Sequence, residues 1–217
     1  MAALKEQYVA KRKPGRPEGA SDTRDMLLQS ARHCFVNEEY RKVTTRSIAE
    51  YAGTNLAMIH YYFGNKENLY LTMLSETLKP FDDDLKRRLA DPTNSSLAGL
   101  IRAFYKTMAR FPEFPPLLMR IMQNESEVGQ DYLKSILGEG ILPRFNRMLH
   151  ALQHNGEVAE NVDIDKLQIV LLSLMVHPFA MTGYFNDHFG GQPKSQDYIS
   201  LGEFVAEFAV RAVQQKS

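Results

Sequence analysis

Two glycines and two asparagines do most to limit what this chain can fold into. In "AGTNLAMIHYYFGNKENLY", Ala52 to Tyr70, Gly53 is followed by Asn55 and Gly64 by Asn65. Glycine ends helices because it reaches left-handed backbone without steric cost. Asparagine opens them by accepting a bond from an N–H of the next first turn. The stretch is thereby cut into a helix from Thr45 to Ala52, a short one from Leu56 to Phe63, and a leucine-rich one from Lys66 to about Leu78, where Pro80 breaks or kinks the pattern. A first helix, Asp22 to Asn37, places Met26, Leu27, Ser30, Ala31, Cys34 and Phe35 on one stripe.

A helix, a glycine turn and a short second helix make a helix-turn-helix. Ile48, Ala52 and Ile59 can close its small core, and the small side chain of Ala49 lets the second helix approach. At about 100° per residue, setting Ile59 inward brings Tyr62 and Phe63 beside it. Ala57 and Tyr61 then point away, flanked by Met58 and His60. Such a face is costly against water alone and useful against a duplex. Tyr61 and His60 can donate to phosphate oxygens. Leu56, Ala57 and Met58 can approach thymine methyl groups. Lys66, at the rim, can neutralise a backbone phosphate. Periodicity alone also fits an aromatic core cluster.

The same residues carry a family resemblance. Thr44, Ile48, Ala49, Ala52 and Gly53, then Ile59-His60-Tyr61-Tyr62-Phe63, then Lys66-Glu67 and Leu69, follow the pattern T-x-x-x-I-A-x-x-A-G-V-S-x-x-x-L-Y-x-H-F-x-x-K-E-x-L in order, spacing and type. Thr44–Tyr70 thus resembles the DNA-binding domain of the TetR family of transcriptional repressors. Thr54-Asn55 replaces the usual Val-Ser, His60 the usual Tyr and Tyr62 the usual His; Asn55 still caps. The resemblance implies that Thr45 contacts DNA backbone and that Arg46 reads a base, an arginine being able to pair bidentately with guanine. It sets Asn55, Leu56, Ala57, Met58, His60, Tyr61 and Lys66 among the residues that meet DNA. It also implies a homodimer on a pseudo-palindromic double-stranded operator, with a small hydrophobic effector held in the rest of the chain.

Charge agrees with one anion-facing end. The net charge is zero, yet residues 1–70 hold eleven Lys and Arg against eight Asp and Glu. "KRKPGR", Lys11 to Arg16, is a basic arm just ahead of the first helix. Beside a helix-turn-helix, Lys13 and Arg16 are expected to reach DNA, with Arg suited to narrow A·T minor grooves. Alone, the arm also fits a solvated tail.

Beyond "ADPTNSS", Ala90 to Ser96, helical patterns follow at Leu97–Arg110, Phe114–Asn124, Val128–Gln153, Asp163–Phe185 and Ser195–Gln214, and none alternates like a strand. The expectation is an all-α chain of nine helices: a basic arm over 1–20, a helix-turn-helix DNA-binding domain over 21–80, and a helical ligand-binding and dimerisation domain over 81–217. Phe104, Met108, Met119, Met122, Met175 and Phe179 lie on apolar faces. Each fits plain core, and together they are the candidate lining of an effector pocket. Pro178 should free a carbonyl in its helix, which could shape such a cavity. Leu167, Leu171, Leu174 and Phe179, with Ile199, Phe204, Val205, Phe208 and Ala212, are the expected dimer faces.

Other chemistries are absent. Cys34 stands alone, so no disulfide forms within the chain, and it reads as core. His150 and His154 share a helix face but lack a third metal ligand nearby, so no metal or cofactor is expected. No nucleophile–base grouping points to an enzyme. "MAALKEQYVAKRK" lacks a signal-peptide core and Leu167–Asn186 is interrupted by His177 and Pro178, so a cytoplasmic protein without membrane spans is expected. A DNA-binding regulator controlled by a protein partner, without a small-molecule effector, is the alternative.

Overall fold

The computed structural model describes residues 20–185 and 190–214. These form α-helices, short π and 3-10 turns and connecting loops, with no strand among them. The helices are α1 (Ala20–Asn37), α2 (Thr45–Tyr51), α3 (Leu56–Phe63), α4 (Lys66–Ala90), α5 (Leu97–Met108), α6 (Phe114–Arg120), α7 (Glu127–Leu133), α8 (Leu142–His154), α9 (Ile164–Ala180), α10 (Thr182–Phe185) and α11 (Ser195–Val213). Wide π turns, Ile121–Glu125 and Lys134–Ile141, follow α6 and join α7 to α8. The expected helix over Val128–Gln153 is therefore one run with a wide turn inside it.

α1, α2 and α3 pack on one another and on the start of α4, making a small head. Leu27, Ala31, Phe35, Ile48, Ala49, Ala52 and Ile59 fill it. Met26 is the exception on the expected stripe, being 43% exposed. Gly53 and Gly64 both take positive φ, as the helix stops require.

α4 is one helix of 25 residues with Pro80 inside it, so of the break or kink expected at Pro80 the break does not occur. Pro80 is exposed, which leaves its ring and missing N–H on the solvent side, while Leu78, Phe81 and Leu85 stay buried on the other. Packing on both sides of the proline offsets its local cost. The boundary drawn near residue 80 thus falls within a helix that the head and the body share.

In the body, α5 and α11 lie against each other along their lengths, and α9 packs on α6 and α8. Gly202 permits the close approach: a Cβ there would stand 2.6 Å from the Cβ and Cγ of Tyr105. The rings of Phe81, Phe104, Tyr105, Phe179 and Tyr198 meet edge-on, tilted or stacked between these helices. Among the described residues no helix is long and apolar enough to cross a membrane.

Candidate nucleic-acid interface

The interface is built from two capped helix starts. Thr44 accepts from the Ser47 N–H at 3.0 Å, and the Ser47 hydroxyl accepts from the Thr44 N–H at 3.2 Å. This reciprocal box fixes the start of α2. It leaves Thr45 half-buried and Arg46 exposed on the first turn. Arg46 Nε donates to Glu50 Oε1 at 2.9 Å, one turn on. Such an exposed pair is worth no more than about 1 kcal/mol, so a guanine can displace Glu50 without large cost.

Asn55 caps α3 by accepting from the Ala57 N–H at 2.9 Å. Ile59 and Phe63 are buried, so the opposite side looks outward. Leu56, Ala57, His60 and Tyr61 are exposed, Tyr61 at 76%, and Met58 and Tyr62 are half-buried. The ring of Tyr61 rests edge-on against Tyr62 at 4.9 Å, which holds it upright without hiding it. His60 Nδ1 lies 2.8 Å from the Gly64 carbonyl oxygen. A carbonyl only accepts, so Nδ1 carries the proton. In the neutral ring Nε2 is then an acceptor, suited to a base amino group; donation to phosphate requires the protonated ring.

Lys66 departs from its expected place. Its Nζ donates to the carbonyls of Tyr40 at 2.7 Å and Val43 at 2.8 Å, and lies 4.2 Å from the centre of the Tyr40 ring. Burial lowers its pKa. Two of its three donors are committed to main chain, so it acts as a strut under the α1–α2 turn rather than a free phosphate contact. That turn presents Arg41 and Lys42 to solvent, which the sequence reading passed over; adjacent basic residues between two helices were the available signal. Lys13 and Arg16 lie outside the described residues.

The expected pocket residues divide. Phe104, Met108, Met175 and Phe179 are buried, and the rings of Phe104 and Phe179 meet edge-on at 6.2 Å. Met119 is half-buried. Met122 is 65% exposed in the π turn after α6 and does not line an interior site, a correction that follows from the widened helix turning that position outward. The carbonyl that Pro178 frees, that of Leu174, accepts from the Tyr105 hydroxyl at 2.7 Å and so shapes no cavity by itself. His150 and His154 line an open cleft with Gln153 and Glu160, so a carboxylate does stand near them. Among the described residues no three metal-ligating side chains are grouped to hold an ion.

The expected dimer faces divide, Phe204 and Phe208 standing outside as expected and others lying inside. Leu171, Phe179 and Val205 are buried within the chain itself. The large apolar side chains left outside on α9 and α11 are Ile169, Val170, Phe204 and Phe208, each more than half exposed. Phe204 and Phe208 stack on each other at 6.4 Å.

The head matches the family model for bacterial regulatory proteins of the tetR family over residues 27–73, the capped helices and the turn that joins them. The head is that of a tetR-type DNA-binding domain. A chain with this head, matched by curated transcriptional repressors, is a DNA-binding transcriptional regulator rather than an enzyme. Similarity extends past the head: the HTH-type transcriptional repressor NicS of Pseudomonas putida is 29% identical over 216 residues, covering 94% of this chain and 99% of NicS. Among solved structures, the fatty acid degradation regulator FadR from Bacillus halodurans superposes with a TM-score of 0.68 at 14% identity, over 95% of this chain and 100% of that one. FadR from Bacillus subtilis, solved in complex with stearoyl-CoA, gives 0.65 at 15% identity, over 88% and 99%. At those identities the structures show a shared fold, body included.

Proposed function

We propose that this protein is a homodimeric repressor of the tetR type that leaves its operator when a small hydrophobic molecule enters the body. The observation that carries the DNA reading is the outward face of α3. A capped helix holds Leu56, Ala57, His60 and Tyr61 in solvent beside the exposed Arg46 of α2. These groups can read methyl groups, amino groups and guanine edges in a major groove. Repression rests on similarity to NicS, a repressor matched along nearly its whole length.

Two such heads are needed for a pseudo-palindromic site, since half-sites on one face of the duplex recur about every 34–36 Å. Ile169, Val170, Phe204 and Phe208 supply an apolar face for pairing α9 and α11 with their copies as a four-helix bundle. An effector that parts the rings of Phe104, Phe179 and their neighbours would tilt α4, which runs from that cluster into the head. The stearoyl-CoA complex of the Bacillus subtilis regulator puts long-chain acyl compounds first among molecules to try.

Selection of bound duplexes from a random pool tests the reading. Enrichment of a two-fold symmetric site is expected, and no enrichment would reject it. A thermal-shift screen on the same protein, with acyl-CoAs among the compounds, tests the effector. A stabilising compound should also release the selected duplex; control by a protein partner would leave every such compound silent.

A further inference from the structure

We propose that Arg120 of α6 is a positioning residue for DNA binding, acting on the reading head through the α1–α2 turn. The proposal rests on the DNA-binding reading of that head. It starts from an end that the sequence leaves uncapped. α1 stops at Asn37, followed by Glu38, Glu39 and Tyr40, with no glycine to take the left-handed conformation that usually closes a helix. The last carbonyls of a helix have no partner inside it and carry the negative end of its dipole.

Arg120 supplies the partner from 84 residues away. Its Nη1 donates to the Val36 carbonyl at 2.6 Å and its Nη2 to the Phe35 carbonyl at 3.0 Å, with the Glu38 carbonyl at 3.5 Å. Lys66 takes the carbonyls of Tyr40 and Val43 from the other side. Two cations, one from the body and one from α4, thus hold five main-chain carbonyls across Phe35–Val43. The next residue is Thr44, whose side chain starts α2, and the turn itself carries Arg41 and Lys42.

The same turn is backed by rings. Tyr70 of α4 packs against Phe35 at 4.6 Å and Tyr40 at 4.7 Å. Gly129 of α7 in turn lies against Tyr70: a Cβ at that glycine would stand 3.1 Å from the Tyr70 hydroxyl and 2.8 Å from Ile121. Arg120 is therefore the last residue of a helix that abuts α9 on one side and α1 on the other. The head is mounted on the unbroken α4, on Arg32 of α1 over the Phe111 ring at 4.0 Å, and on this guanidinium. A shift of α6 reaches α2 through Arg120 without passing along α4.

The test compares wild type, Arg120→Ala and Arg120→Lys, using the duplex that wild type selects from a random pool. Hydrogen exchange is followed in all three. Arg120→Ala is expected to raise amide exchange in residues 35–54 while α8, α9 and α11 keep wild-type protection and the sedimentation coefficient is unchanged. Affinity for the selected duplex should fall on the order of tenfold. Arg120→Lys, which keeps the charge and can still reach a carbonyl, should recover part of both effects. Wild-type exchange and affinity in Arg120→Ala would overturn the proposal. So would loss of protection throughout the body, which would make Arg120 a general stability residue. If wild type selects no duplex, the DNA reading fails; local exchange confined to 35–54 would still support the clamp, and unchanged exchange would overturn it as well.

Discussion

Pro178 has no N–H to offer the Leu174 carbonyl four residues earlier, and the Tyr105 hydroxyl fills that vacancy at 2.7 Å. Burial pushes the Tyr105 phenol upward, so the folded protein favours its protonated form. The linked stability is complete below the ordinary tyrosine value near 10 and declines as pH rises from there. Tyr105→Phe should therefore cost about 1–2 kcal/mol near neutrality, because a part-buried carbonyl loses its donor, and should flatten the alkaline part of the stability profile. Equal melting temperatures for both proteins at neutral and alkaline pH would dismiss the bond. Lys66 invites a different measurement. A phosphate contact would give Lys66→Ala a salt slope shallower by about one unit per subunit. With two donors on the carbonyls of Tyr40 and Val43, the variant is expected instead to lose about 1–3 kcal/mol of head stability and to keep its slope. The slope of affinity against salt concentration decides between these roles.

α5 and α11 approach so closely because residue 202 has no side chain. Gly202→Ala would set a carbon 2.6 Å from Tyr105 Cβ and Cγ, and neither atom is the far end of a flexible chain. The helices must part, with an expected loss of about 1–3 kcal/mol, read as a lower denaturation midpoint; a midpoint equal to wild type would mean that the pair has slack. Which elements the sequence discloses follows the range of the forces involved. The starts and stops of α2 and α3 are legible because Thr44, Gly53, Asn55 and Gly64 act within a few residues of themselves. The continuation of α4 past Pro80 is not legible, since it depends on Phe81 and Leu85 finding the body. The outward side of α9 is hidden for another reason. "IVLLSLMV" is apolar on every side, so periodicity cannot separate buried Leu171 from exposed Ile169 and Val170. Arg120 leaves no pattern at all, because its partners are carbonyls that every residue owns.

At the scale of the whole molecule the question is what covers α9 and α11. Ile169, Val170, Phe204 and Phe208 stand more than half exposed on a body whose other large apolar side chains are mostly inside. Fully burying one such side chain is worth roughly 1.5–3 kcal/mol, and a two-fold pairing buries each of them twice over in one self-complementary contact. Phe208→Glu is the informative change. Phe208 is 54% exposed, so the glutamate can reach water in a lone protomer and the fold should survive, with a melting temperature close to wild type. In the pair it would bury two carboxylates near each other without partners, at a cost of several kcal/mol. The variant should sediment at about half the wild-type mass at micromolar concentration. It should bind the full symmetric site with the weak affinity of a single head, and bind an isolated half-site as wild type does. A variant that stays a dimer would place the interface elsewhere, and a wild type that is already a monomer would remove the two-headed mechanism altogether.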